Sequence, residues 1–273
     1  MDYTEVRFFN NPDINEIIIA LLAESDFDMF EEREDGVNGY VKANLYKEEF
    51  VRSMLQSNEV LSGVRFEANL IKDRNWNNEW EKNFEPVLIA DRVFIRAPFH
   101  PSGNYPHELI IEPKMSFGTG HHATTSMMIQ LMLTLDLKGK TVLDMGSGSG
   151  VLAIFAEQSG AKKIMAIDFD EWAYENAVEN VERNKCNKIK VEKGTVTLIA
   201  DRSFDIILAN INRNVLLNDM EQYVKSLVIC GEILFSGILT SDQEIVSNHA
   251  GSCGLKFVNA ITQDNWMALH FKK

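Results

Sequence analysis

The residues of clearest chemical character lie between Asp144 and Asp168. TVLDMGSGSG, at Thr141 to Gly150, is a short apolar run followed by Gly146, Gly148 and Gly150 alternating with two serines. Glycines placed after a strand let the main chain turn sharply and approach a ligand closely, where a Cβ would forbid the backbone angles or fill the ligand's space. A second apolar run, AIDFD at Ala166 to Asp170, carries Asp168 about twenty residues past the turn, where an acidic side chain accepts hydrogen bonds from a ribose diol. Strand, glycine turn, helix and acid-bearing strand make the first βαβ unit of a nucleoside-binding sheet.

Two ligand classes use such a unit, a dinucleotide and S-adenosylmethionine. The dinucleotide fingerprint is GxGxxG, which admits a pyrophosphate onto a helix N-terminus. Here position 151 is Val and Asp144 stands just before the turn. A carboxylate there repels a pyrophosphate and suits the ammonium group of a methionine moiety. The pattern therefore favours the methyl donor over a nicotinamide cofactor.

Two further stretches carry functional groups. EPKMSFGTGHHATT, Glu112 to Thr125, holds a second glycine-rich loop before a helix expected over Ser126 to Leu135, which Thr124 or Thr125 can cap. His121 and His122 are adjacent, so their side chains diverge, and no further ligands accompany them; no metal site is expected. FDIILAN, Phe204 to Asn210, ends an apolar run in an amide at the carboxyl end of a strand, where open α/β sheets place functional side chains. Asn210 is expected to face the crevice.

Other elements must position these groups. Tyr3 to Asn10 alternates as a strand; Ile14, Ile17, Ile18, Leu21 and Leu22 form one helical stripe behind Asp13 as cap. Phe27 to Arg33 and Val37 to Asn44 flank a Gly36 turn as a hairpin, Tyr46 to Ser57 is a second helix, and Val64 to Leu70 a fourth strand. This βαββαβ order is ferredoxin-like: two helices on one face of a four-stranded antiparallel sheet. It contains no constellation of chemical groups, so it is expected to recognise a partner, with the acidic run Glu24 to Asp35 as a candidate docking face. Trp76, Trp80 and Phe84 repeat every four residues in a connecting helix, Val87 to Ile95 forms one or two short strands, and 98–106 is a loop. After the βαβ core come a helix over Glu171 to Lys185, a strand at Ile189, the Phe204 strand, a helix from Asn214, a strand at Glu232, a helix from Asp242, and a closing hairpin read as antiparallel to the rest. The expected domains are 1–72, a connection over 73–100, and 101–273.

At 273 residues, 45% hydrophobic and 25% charged, the composition is that of a soluble globular protein with two cores, expected in the cytoplasm, with no span long enough for a bilayer and no signal-peptide pattern. Cys186, Cys230 and Cys253 form neither a CxxC pair nor a disulfide framework. A net charge of −13 argues against a general nucleic-acid surface and favours encounter with a basic macromolecule.

Taken together, FGTGHHATT, DMGSGSGVLAI, AIDFD, LANI at Leu208 to Ile211, FSGIL at Phe235 to Leu239 and the linker DRNWNNEWEKNFEPV resemble the PrmA family. The resemblance runs over the whole chain. It implies a class I methyltransferase domain behind a ferredoxin-like substrate-recognition domain. It also implies transfer of methyl from S-adenosylmethionine to lysine or N-terminal amines of the large-subunit ribosomal protein numbered eleven. Donor contacts then fall on Thr125, Gly146, Asp168 and Asn210, with Phe117, Gly118, Thr119 and Gly120 as the loop beside the methyl group; Asp144 and Gly148 complete the expected site. The chain departs from the family in Glu112-Pro113-Lys114, where Asp-Pro-Gly is usual, and in Ser147, where Cys is usual. Asn210 is the candidate for orienting the amine. A monomer without direct nucleic-acid or membrane contact is expected. The alternatives are another protein or small-molecule N-methyltransferase on the same sheet, or a non-catalytic donor-binding module.

Overall fold

The computed structural model describes residues 2–23, 25–61, 63–71, 84–114 and 116–273. The expected linker helix, with Trp76 and Trp80, lies outside the described residues. The chain divides into two compact units, Met1–Asn83 and Phe84–Lys273.

In the first unit β1 (Tyr3–Phe9), β2 (Phe27–Arg33), β3 (Gly36–Lys42) and β4 (Arg65–Ile71) form one sheet in the order β2-β3-β1-β4, every pair antiparallel. With α1 (Asn15–Ala23) and α2 (Glu48–Gln56) this is the ferredoxin-like arrangement. Alternation in β1 turns Val6 and Phe8 inward, where they meet Ile18 and Leu22 of α1 and Val51 of α2. The helix stripe is narrower than its spacing suggests, since Ile17 of α1 and Phe50 of α2 are exposed. Asp13 does not cap α1. The side chain of Asn11 accepts the Asp13 amide instead and opens a 3-10 turn, Pro12–Ile14, that leads into the helix.

The second unit is organised on a seven-stranded sheet in the order β10-β9-β8-β11-β12-β14-β13. Its strands are β8 (Thr141–Met145), β9 (Lys163–Asp168), β10 (Ile189–Lys193), β11 (Phe204–Asn210), β12 (Leu227–Leu239), β13 (Lys256–Gln263) and β14 (Trp266–Lys272). β8 to β12 pair in parallel. β14 runs antiparallel to both β12 and β13, so β13 points the same way as β12. Only one strand of the closing hairpin therefore opposes the sheet, a correction to the expectation that both would.

Helices cover both faces, as near-continuous apolar strands require. On one face α3 (Ala123–Met132) and α4 (Val151–Gln158) pack Met127, Met128 and Phe155 against Val142, Ile164 and Leu208. On the other, α6 (Arg213–Ser226) and α7 (Gln243–Ser252) pack Met220, Tyr223 and Val246 against Leu143, Ile207 and Phe235. α5 (Glu171–Arg183) lies between β9 and β10 in the chain.

The stretch expected as a connection is structured. β5 (Val87–Ile89), β6 (Val93–Arg96) and β7 (His107–Ile110), the last not anticipated, form a three-stranded sheet. Its buried Ile89, Val93, Ile95 and Leu109 share a cluster with Phe155. Residues 84–100 thus belong to the second unit, because their alternate apolar residues complete its core. Among the described residues no helix is long and apolar enough to cross a membrane.

Candidate active site

Four strand ends and one loop converge at the carboxyl edge of the parallel strands. β8 ends in Met145 and runs into the glycine turn, where Gly146 and Gly148 adopt φ of 69° and 53°. The turn is held from below by the Ile167 carbonyl, which accepts the amides of Gly146 at 2.8 Å and Ser147 at 3.0 Å. A Cβ on Gly146 would lie 2.2 Å from Ile211 Cγ2, and one on Gly148 would lie 2.3 Å from the Phe117 carbonyl oxygen. The requirement for glycine at these two positions is both conformational and steric.

The cavity above the turn has a volume of about 430 Å³, within the range of ligand pockets. Its walls come from Ser116 and Phe117 of the loop, Gly146 and Gly148 of the turn, Asp168 to Asp170 after β9, Thr195 and Val196 after β10, and Asn210 to Asn212 after β11. Of the expected site residues, Phe117, Gly146, Gly148, Asp168 and Asn210 line it. Thr125, Gly118, Thr119, Gly120 and Asp144 do not.

Asp168 is 8% exposed, and its two oxygens are already engaged: Oδ2 accepts the Gly148 amide at 2.9 Å and Oδ1 the Asp170 amide at 3.1 Å. Each carboxylate oxygen has a second lone pair, so the group retains acceptor capacity toward the cavity. Asp170 in turn caps α5 by accepting the Ala173 amide at 3.0 Å. Asn210 presents a buried Oδ1 with no hydrogen-bond partner, an acceptor left open beside the cavity.

Asp144 stands behind the turn. Its Oδ2 accepts the Ala153 amide at 3.0 Å in the first turn of α4, and its Oδ1 is buried without a partner. Burial, with Asp168 adding like charge, raises its pKa to about 7. The position corrects the simple picture of a carboxylate aimed at a ligand ammonium, because Asp144 faces the helix start. It also bears on ligand class. A dinucleotide places its pyrophosphate on this helix N-terminus, whereas here the chain's own carboxylate takes that place.

The loop before α3 rests on the glycine turn. The Phe117 carbonyl accepts the Ser149 amide at 2.8 Å, and the Ser149 hydroxyl donates to the Gly118 carbonyl at 2.6 Å. Phe117 meets His122 edge to face with ring centroids 5.1 Å apart, and His122 meets Trp266 at 4.9 Å. His122, not Thr124 or Thr125, caps α3 by accepting the Thr124 amide at 3.3 Å. Thr125 is buried with an unpartnered hydroxyl. Thr119 bonds His121, whose Nε2 lies 2.9 Å from the Glu85 carbonyl, and Gly120 packs on Ile95. Both histidines therefore serve the loop; among the described residues no group of three or more His, Cys, Asp and Glu could hold a metal.

Sequence reasoning passed over Ser116, Phe169, Ile211 and Asn212. Phe169 is 75% exposed yet lines the cavity, and its position next to Asp168 was the available signal. A mainly apolar wall with a few convergent polar groups, an open amide oxygen and no free helix N-terminus fits a nucleoside linked to an amino acid better than a dinucleotide.

The model of the family described as ribosomal protein L11 methyltransferase (PrmA) matches residues 15–273. Relatives carrying the same description include one from Phocaeicola vulgatus, 41% identical over 281 residues with 99% of each chain covered. Another, from Porphyromonas gingivalis, is 42% identical over 261 residues, covering 94% of this chain and 90% of its own. Among solved structures, a ribosomal protein L11 methylase from Lactobacillus delbrueckii subsp. bulgaricus superposes with a TM-score of 0.64 and 26% identity, over 69% of this chain and 98% of that one. A methyltransferase from Pyrococcus furiosus, 20% identical with a TM-score of 0.51, shares the fold.

Proposed function

Because the chain belongs to the ribosomal protein L11 methyltransferase family, we propose that the cavity at Gly146, Asp168 and Asn210 is where it transfers methyl from S-adenosylmethionine to amines of ribosomal protein L11. The observation that carries the placement is the open Oδ1 of Asn210 at a cavity walled by the glycine turn and Asp168. S-adenosylmethionine supplies a methyl group on a sulfonium, already activated for displacement, so the chain's task is orientation rather than bond polarisation.

Each residue then has a defined duty. Gly146 and Gly148 allow the turn to approach the donor, and Asp168 accepts hydrogen bonds from its ribose while keeping the turn in place. Phe117, Phe169, Ile211 and Val215 surround the cavity with apolar surface, which disfavours the charged form of an entering amine. That matters because a lysine near pKa 10.4 holds its proton harder than an α-amine near 8. Asn210 Oδ1 accepts a hydrogen from the neutral amine and so aims the nitrogen lone pair, and the proton lost before attack passes to solvent. Asp144, through the Ala153 amide, and the Gly118 carbonyl, through the Ser149 hydroxyl, support the turn from behind.

The first unit is assigned substrate recognition. Its described residues form a complete core, and its acidic hairpin edge, where Glu31 accepts from Tyr40 at 2.9 Å, suits a basic partner. Transfer of radiolabelled methyl from S-adenosylmethionine to purified L11 tests the reading. Label on small-molecule amines but not on L11 would redirect the substrate, and donor binding without transfer to any amine would make the chain a binding module.

A further inference from the structure

Asn176 and Asn180 of α5 and Asn184 at its C-cap repeat every four residues, and their amides stand in for a β-strand. Asn184 exchanges both bonds with one backbone residue, donating to the Ile110 carbonyl at 2.7 Å and accepting its amide at 2.9 Å. One helical turn earlier, Asn180 Oδ1 accepts the Glu112 amide at 2.8 Å. Another turn earlier, Asn176 Nδ2 donates to the Glu112 carbonyl at 3.3 Å and its Oδ1 accepts the Ser116 hydroxyl. The match is geometric: four helical residues advance about 6.0 Å, two strand residues about 6.6 Å. The outer edge of β7 and its continuation toward the loop are thereby closed without another strand.

Asn180 does more than extend this ladder. Its Nδ2 donates to the Ser149 carbonyl of the glycine turn at 2.9 Å. The bonds then close a circuit: Asn180 to Ser149, Ser149 to Phe117 and Gly118, Ser116 back to Asn176, and one turn of α5 to Asn180. Asn176 and Asn180 are fully buried, and the bond from Asn180 to Ser149 is shielded from water, whereas Ser116 reaches Asn176 from the cavity wall. The circuit joins the glycine turn to the adjoining loop, and both contribute walls to the same cavity.

We propose that Asn176 and Asn180 are positioning residues for methyl transfer, setting the spacing between the glycine turn and the Ser116 to Gly120 loop. The proposal rests on the methyl-transfer reading of this cavity. Displacement at carbon needs reacting atoms about 3–3.5 Å apart, and a shift of about 1 Å costs on the order of a hundredfold in rate. A device that fixes two walls against each other therefore acts on turnover more than on donor affinity. Asn184, whose side chain among the described residues bonds only Ile110 and the Asn180 carbonyl, lies outside the circuit and serves as the structural comparison.

The test uses the full chain with Asn176→Leu, Asn176→Asp, Asn180→Ala, Ser116→Ala and Asn184→Ala, each confirmed folded at the assay temperature. Donor Kd is read by calorimetry, kcat and KM by methyl transfer to L11, and loop order by hydrogen exchange over 116–120. Asn176→Leu and Ser116→Ala are expected to lower kcat about ten- to hundredfold with donor Kd within about threefold. They should also speed exchange in the loop while the glycine turn keeps its protection. Asn176→Asp retains the acceptor for Ser116 but loses the donor to the Glu112 carbonyl, so it should lose less kcat than Asn176→Leu, and Asn180→Ala should raise donor Kd as well as lower kcat. Asn184→Ala should lower Tm and leave kcat within about twofold. Wild-type kcat in both folded Asn176→Leu and Ser116→Ala, or an equal loss in Asn184→Ala, overturns the proposal. If the wild type fails to methylate L11, the substrate reading falls, and loop exchange alone then decides for or against the positioning role.

Discussion

The carboxylate of Asp168 accepts the amide hydrogen of Gly148 at 2.9 Å, so the acid expected to bind a ribose also holds the turn the donor must approach. Asp168→Ala removes both duties. We expect it to weaken S-adenosylmethionine binding by about 1.5–3 kcal/mol, the loss of charge-assisted hydrogen bonds. Calorimetry on the folded variant decides the matter, and wild-type affinity would take Asp168 out of the site.

Asn210 carries an acceptor with no protein partner, and its removal leaves the cavity's other walls in place. Asn210→Ala is expected to lower kcat on L11 about ten- to hundredfold while donor affinity falls less, as for a group that orients the reacting atom. Normal turnover at saturating donor, with weaker binding, would make it a donor contact alone.

Asp144 predicts a pH dependence of stability. Its folded pKa of about 7 exceeds the unfolded value near 3.8, so between these the folded state holds more protons. The contribution is fully present below about pH 4 and is lost as pH rises through about 7. Asp144→Asn keeps an acceptor for the Ala153 amide and removes the titration. Relative to wild type it should gain stability progressively as pH rises from about 4 to about 7, by on the order of 3 kcal/mol between pH 5 and pH 8. Parallel urea midpoints for the two proteins across that range would show that the group does not titrate there.

The division into two units predicts separable duties. A fragment beginning at Phe84 should fold and bind the donor, yet lose methylation of intact L11, because the amine is no longer delivered at high effective concentration. Beginning at Val87 is a different experiment. It deletes the Phe84 carbonyl that bonds His100 and the Glu85 carbonyl that bonds His121, and so loosens the loop beside the cavity. The shorter fragment should have the lower Tm and the faster proteolysis near His121. A Phe84 fragment that methylates L11 at the full-length rate would remove the first unit from recognition.

What could be read before the structure was what repeats with a period. Val6 and Phe8 alternate, and Asp168 sits at a fixed offset from its turn; both are local patterns that the fold preserves. Capping was misread in two ways: at α3 the acceptor is His122, an unusual cap, rather than a threonine, and before α1 Asn11 caps a 3-10 turn that displaces Asp13 from the cap position. β7 escaped because HELI is short, has one fully buried side chain, Leu109, and bonds along its outer edge to the side-chain amide of Asn184, 74 residues away. The asparagines themselves look like ordinary polar helix residues, and only tertiary context turns them inward. Asp144 precedes the glycines in sequence, but strand geometry points it at α4 rather than into the cavity.

The placement of β14 between β12 and β13 has a consequence for biosynthesis. Residues 266–272 follow every other strand in the chain, yet occupy an interior position of the sheet. As the polypeptide emerges in order, β12 presents an open hydrogen-bonding edge and β13 lacks its sheet partner until β14 leaves the exit tunnel. The glycine turn at 146–150, by contrast, is complete in the chain more than a hundred residues earlier. A nascent chain stalled before Trp266 should therefore be the aggregation-prone and chaperone-bound species, and sheet closure the event that commits the second unit to its native state.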